Sequence, residues 1–413
     1  MAASVTPSMP ARGAAHEARS REVENASISM RHPDMDAAIA RFAALGGMAK
    51  QMALALEIAH SRQAELTLAY RNVVSVAAGF RQRSDGQATL EPCVIFVVRR
   101  KWSARRRSQQ ALPGHLLTYA DIDHVRALVA VPTDVQREPA YLQIRTQGAS
   151  AVSVNSGSER GSGALTCMVE CSGGDAAPHR LLMSALHVLS ISVDADAAEL
   201  PSGAQVCQRQ GAADGACLAL SCAAGGRFAT GHQTGFDVQL AEPLADSVAS
   251  VAQALGDLPF DGPQASVTSF EHLLQLIDQG LVLEAAVPSN RNGSAAALRS
   301  ALAVRLRSLQ LHSLPIHYRF KVGGQFGDWP MLHAELLEFE LLGGAATQPG
   351  DSGCAVVCWL DEQRCCLVGM HIAADVEQGL SYVIPAWQLF DVRNYFGSLG
   401  TAERLRCISI TEG

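Results

Sequence analysis

Pro349-Gly350-Asp351-Ser352-Gly353 stands just before the apolar run Ala355 to Leu360, and the reading of these five residues decides what kind of protein the chain can be. Glycines flanking Asp351-Ser352 let the backbone turn tightly, expose the hydroxyl and point successive N–H groups at one spot. An acyl-transfer nucleophile needs this arrangement. A glycine-rich hairpin turn would use the same residue types, so the partners of Ser352 decide between the two readings.

A serine hydroxyl is a poor nucleophile without a base. His187 sits in the apolar run Leu181 to Leu189, where the bland reading is a core histidine. Asp237 opens the run Phe236-Asp237-Val238-Gln239-Leu240, an acid that is costly to bury unless a partner receives it. Each is ambiguous alone. Together they give the chain order His187, Asp237, Ser352, the order of the chymotrypsin-type triad. His232 and Asp246 are rivals for base and acid, but neither lies in an apolar strand that would fix its orientation.

With these motifs the chain resembles the trypsin-like serine peptidases of the two-barrel chymotrypsin fold. Ser184-Ala185-Leu186-His187 matches the small-residue run before the histidine, Phe236 to Leu240 the aspartate strand, and Gly350 to Gly353 the nucleophile loop. More narrowly it is similar to the intracellular bacterial branch related to the plant narrow-leaf peptidases, through Asn72-Val73-Val74, Glu91-Pro92-Cys93-Val94-Ile95-Phe96-Val97-Val98 and Val131-Pro132-Thr133-Asp134-Val135. Cys354 departs from the family's second glycine, and residues 246–330 match no part of the pattern. The resemblance implies a mostly β fold, two six-stranded-type antiparallel barrels, preceded by a helical leader and a small α+β domain. It implies a serine endopeptidase with regulated activity. Ser352 attacks the carbonyl, His187 moves the proton, Asp237 orients the imidazole, and the N–H groups of Gly350 and Ser352 form the oxyanion hole, with Asp351 shaping the loop. The alternatives are a catalytically silent scaffold that binds partners, and an esterase using the same site. For specificity, Ala346 stands where an acid would receive Arg or Lys. Thr347 and His371 occupy positions like those of the glutamate- and glutamine-preferring members, although Ala374 replaces a usual glycine. The competing reading is a pocket for small apolar side chains, with His371 merely ending a buried strand.

Outward from these motifs, the texture from about Gln147 is all-β, with short aliphatic runs between Gly, Ser, Asp and Asn. The peptidase domain is expected over 150–398 and a tail over 399–413. Residues 246–330 read as a connector or insertion between the barrels, with helices over Val267–Gly280 and Ala295–Leu311; in the second, Leu298, Leu302, Arg305 and Leu309 share a helical face. Pro385 to Phe396 reads as a terminal helix. At the other end, 1–34 reads as a disordered leader and 35–69 as helix, breaking at Gly46-Gly47. That helix either packs on its own domain or docks a partner or second copy. Residues 70–140 read as a small α+β domain whose runs Val73–Gly79 and Cys93–Val98 form a hairpin about Ser84-Asp85-Gly86. Arg99, Arg100, Lys101, Arg105, Arg106 and Arg107 surround Trp102, a cluster read as a solvated loop rather than a nucleic-acid surface.

Composition bounds these readings. A chain of 413 residues with 33 basic and 40 acidic side chains, net charge -7 and 18% charged residues is not built for non-specific nucleic-acid binding. With 48% hydrophobic but only 5% aromatic residues, its cores must be aliphatic. The 11 cysteines are odd in number and the first residues lack the charged and apolar regions of a secretory signal, so reduced thiols and a cytoplasmic location are expected. No cysteine spacing fits a zinc module, so no metal or cofactor is expected. No run is apolar enough to span a membrane. The expected partners are protein or peptide substrates and a regulatory protein or second copy.

Overall fold

The computed structural model describes residues 33–83, 88–101, 111–122, 124–139, 152–156, 159–173, 177–190, 194–197, 199–210, 213–231, 233–256, 258–260, 262, 265–288, 299–311 and 315–410. The leader 1–32, the hairpin tip 84–87 and Trp102 with Arg105, Arg106 and Arg107 lie outside them. The chain divides into two compact units, Met1–Glu138 and Pro139–Gly413.

In the first unit, α1 (Met35–Ala44) and α2 (Met48–Ala69) are separated at Gly47, whose φ of 89° no helix can continue through. The sheet runs β1 (Val73–Gln82), β2 (Ala88–Val98), β4 (Val125–Arg137), β3 (His115–Ile122), with β2 and β4 parallel and the other pairs antiparallel. Met52, Ala55, Ala59 and Leu66 recur on one face of α2 and are buried against β1 and β2. In α1 Ala38 and Phe42 are buried, and Arg41 donates to the Leu128 carbonyl of β4 at 3.0 Å. The run Val131 to Val135 lies in β4, where the Asp134 carboxylate accepts from the Gln82 amide at 3.0 Å and its own neighbour Val135 at 2.8 Å.

The second unit holds two β layers. The first is a sheet of eight strands: β6 (Glu159–Gly163), β5 (Val152–Ser156), β9 (Gln205–Gln210), β10 (Ala213–Arg227), β11 (Phe236–Pro243), β8 (His179–Ser184), β7 (Cys167–Ser172) and β20 (Arg404–Ile408), curled into a half-barrel. Val152, Val154, Val169, Leu182, Val206, Leu218, Val238 and Leu240 fill its inner face. The short turns α3 (Leu186–Leu189) and α4 (Val248–Leu255) pack beside it. β20 falls in the stretch read as a tail; its Arg404–Ile408 register against Ser172–Met168 makes it an edge strand instead.

The second layer is a closed antiparallel barrel of β12 (Val282–Pro288), β17 (Ala355–Trp359), β18 (Cys365–Asp375), β19 (Leu380–Pro385), β16 (Glu335–Leu341) and β13 (Arg299–Leu311), sealed by the β12–β13 pairing. A closed barrel beside a half-barrel makes this mostly β chain a chymotrypsin-like two-barrel fold. Three more expectations need correction. Residues 299–311 form strand β13, not a helix. Leu302, Val304 and Leu306 alternate, then a bulge between Leu306 and Ser308 shifts the phase to Leu309 and Leu311, and an alternation broken this way imitates helical spacing. The stretch 246–330 is therefore not mere connector: beyond α5 (Phe270–Asp278) it supplies two barrel strands and the hairpin of β14 (Ile316–Val322) and β15 (Gln325–Met331). That hairpin turns at Gly323-Gly324, both with positive φ as a two-residue turn demands. It leaves the barrel to reach the first layer, bridging Lys321 to Asp194 and, just past its end, Leu332 to Thr234. The expected terminal helix is shorter too, α6 (Ala386–Leu389) followed by a 3-10 turn over Val392–Tyr395.

Candidate active site

His187 lies in α3, directly after β8, among Leu186, Val188 and Leu189, which are all buried. Asp237 lies near the start of β11. Because β11 pairs with β8 through Gln239 opposite Ser184, the start of one strand meets the turn that ends the other. The Asp237 carboxylate is 0% exposed and accepts twice from His187, from its backbone N–H at 3.0 Å and from Nδ1 at 2.6 Å. A buried carboxylate without such donors would be untenable. Holding the proton on Nδ1 leaves the lone pair on Nε2, the form a general base needs. Nε2 is buried and has no hydrogen-bond partner among the described residues.

Ser352 sits on a turn held by a set of hydrogen bonds. The Ala164 amide donates to the Ser352 carbonyl at 2.8 Å, the Thr166 hydroxyl to the Gly353 carbonyl at 2.7 Å, and the Ser184 hydroxyl to the Ala164 carbonyl at 2.6 Å. On the barrel side, the Gly353 amide donates to the His371 carbonyl at 2.8 Å, and the Asp351 carboxylate receives the Gln348 amide at 2.7 Å. Gly163 marks where α3 and the turn converge: a β-carbon there would stand 2.5 Å from Val188 Cγ2 and 2.6 Å from the Ser352 carbonyl. Gly350 and Gly353 both take positive φ, 97° and 89°. The amides of Gly350 and Ser352 donate no hydrogen bond to any described residue, which leaves two donors in the turn for an oxyanion. The Ser352 hydroxyl itself donates to the Ile372 carbonyl at 3.3 Å rather than to His187.

Around the turn, Ala346 is half-buried and Thr347 buried, its hydroxyl oxygen without a hydrogen-bond partner among the described residues. His371, on β18, shares a hydrogen bond of 2.8 Å between Nδ1 and the Ser381 hydroxyl of β19. Of the rivals, Asp246 is exposed in a 3-10 turn and His232 lies outside the described residues. Among the described residues no cluster of three His, Cys, Asp or Glu is placed to hold a metal ion.

Two site residues escape the sequence reading. Tyr318 of β14 is fully buried, its ring edge-on to His187 at 5.7 Å between centroids, and burial together with the nearby Asp237 charge pushes its phenol pKa up. His333, after β15, lies 2.8 Å from the Tyr318 hydroxyl through Nε2, and burial pushes its pKa down to about 4. The only signal for Tyr318 was the alternation Ile316, Tyr318, Phe320 in a segment with no counterpart in the family pattern.

Comparison with solved structures returns the NS6 protease from murine norovirus 1, at 17% identity over 50% of this chain and 80% of that one, with a TM-score of 0.23. Two inactive mutants of the murine norovirus NS6 protease, one of them a chimera at its cleavage junction, match at 18% identity over 50% and 82%, again with a TM-score of 0.23. A likeness at that score carries no argument; the fold stands on its strand order and the site on its own geometry. No protein-family profile and no curated protein matches the chain.

Proposed function

We propose that the chain is a serine endopeptidase acting through His187, Asp237 and Ser352. The observation that carries this reading is the buried Asp237 carboxylate gripping both the amide and Nδ1 of His187. Ser352 attacks the scissile carbonyl while Nε2 of His187 takes its proton. The Gly350 and Ser352 amides hold the oxyanion, and the imidazolium returns the proton to the leaving amine. Water, activated by the same nitrogen, then releases the acid from Ser352. Labelling by a fluorophosphonate, lost in Ser352→Ala, tests the assignment.

A second reading, a silent scaffold or latent enzyme, is favoured by one feature: the Ser352 hydroxyl is turned to the Ile372 carbonyl, and Ser352 is only 8% exposed. Folded wild-type protein that takes no label supports it.

For specificity, the floor residue Ala346 cannot pair with Arg or Lys. The Thr347 hydroxyl, without a partner among the described residues, supports a polar P1 side chain, Glu or Gln, received with His371, while the apolar alternative has Thr347 and His371 as wall. The finer kinship, to the intracellular bacterial branch, rests on the first unit's 72–74, 91–98 and 131–135. A reducing, cytoplasmic setting accompanies it, supported by free thiols even where strands set Cys207 opposite Cys217 and Cys358 opposite Cys366. A regulatory partner or second copy belongs to the same proposal; no helix of the described residues is long and apolar enough to cross a membrane.

A further inference from the structure

A buried carboxylate offers about four lone-pair sites, and His187 fills two of those of Asp237. The hairpin that leaves the barrel between β13 and β16 brings Tyr318 edge-on to the His187 ring that this carboxylate holds. Tyr318 is 0% exposed there, its ring 5.7 Å from that of Phe228, which in turn stacks on Phe320 at 4.5 Å. Its hydroxyl lies 2.8 Å from His333 Nε2, and burial, with the nearby Asp237 charge, keeps the phenol protonated. A phenol has one proton, so if it goes to Asp237 the bond to His333 must run the other way, from Nε2–H to the Tyr318 oxygen.

We propose that Tyr318, backed by His333, is a positioning residue for the triad: a chain of donors, His333 Nε2–H to Tyr318 O–H to the Asp237 carboxylate, holds that carboxylate in the orientation that grips His187. The depressed pKa of His333 agrees, because a neutral ring can supply the proton without bringing a cation to Asp237. The negative charge of Asp237 is then left for the imidazolium of His187. The inference rests on the peptidase reading for its catalytic consequence but not for its geometry. Deletion of the hairpin's contribution would leave the triad residues in place and their register loose.

Tyr318→Phe tests it, since the ring keeps its packing on His187 and Phe228 and loses only the hydroxyl. Two readouts are taken on the full chain, after unfolding midpoints show the variant folded: the far-downfield proton resonance of the His187–Asp237 bond, assigned by its loss in Asp237→Asn, and steady-state hydrolysis of an activated ester. The expected result is a downfield resonance that shifts or broadens away in Tyr318→Phe, with kcat about tenfold lower and KM unchanged, as for loss of one hydrogen bond to a charged group. A resonance identical in wild type and Tyr318→Phe overturns the proposal, whatever the rate does. Where wild type shows the resonance but no turnover, the peptidase reading fails while the resonance still decides the role of Tyr318.

Discussion

Acid should weaken this fold at one identifiable place, His333. Its ring is buried beside Tyr318, near Asp237 and His187; burial depresses its pKa from 6.5 to about 4, the Asp237 charge pulling up and the His187 charge down. The neutral form is therefore favoured in the native state, and as pH falls the unfolded chain binds the proton first. Stability is fully present above pH 6.5, is lost as pH drops, and levels off below about 4. The difference is worth about 3 kcal/mol over the whole span, and about 2 kcal/mol by pH 5. The assay is urea unfolding of wild type and His333→Gln at steps from pH 8 to 5. An amide keeps a donor near Tyr318 and removes the titration, so other acidic groups cancel in the comparison. The stability advantage of wild type over the variant should shrink by about 2 kcal/mol between pH 8 and 5. Parallel pH profiles for the two proteins would refute the reasoning.

In Asp237→Asn the amide cannot accept from Nδ1–H as the carboxylate does, so turnover should fall about ten-thousand-fold with the fold retained, read from kcat and from circular dichroism. Gly353→Ala would set a β-carbon 2.3 Å from the Ala164 carbonyl and 2.6 Å from the Ser184 hydroxyl at a φ of 89°, and should lose on the order of 3 kcal/mol of stability together with labelling, measured by unfolding midpoint and fluorophosphonate uptake. Ser184→Ala strips the buried Ala164 carbonyl of its 2.6 Å donor and should cost about 1–3 kcal/mol in the same unfolding assay. Cleavage profiling on a peptide library should show cutting after Glu or Gln that Thr347→Val and His371→Ala each suppress; unchanged cutting after Ala, Val or Leu in both variants would assign the pocket to the apolar reading.

Much of the fold was legible because its signals are local. The break at Gly46-Gly47, the β1–β2 hairpin and the strand holding Asp237 follow from turn residues and aliphatic runs. Strand β13 was not, because its bulge shifts an alternating pattern at Arg307-Ser308 and a phase-shifted alternation resembles a helix. β20 was missed because a five-residue edge strand after a helix-like segment has no periodicity to read. At the site, His187, Asp237 and Ser352 were named from short motifs; the structure places His187 against Asp237 and sets α3 beside the serine turn. Tyr318 and His333 stayed hidden since their role depends on a hairpin crossing from one β layer to the other, and nothing in sequence spacing encodes such a crossing.

The most direct measurement is the pre-steady-state reaction of the full chain with a p-nitrophenyl ester, followed by mass mapping of the trapped acyl adduct. The account predicts a burst of about one equivalent of nitrophenol per chain, an acyl group on Ser352 and no other residue, and loss of both in Ser352→Ala and His187→Ala. Nitrophenol release without a burst, or an adduct on a residue other than Ser352 that survives Ser352→Ala, would contradict it.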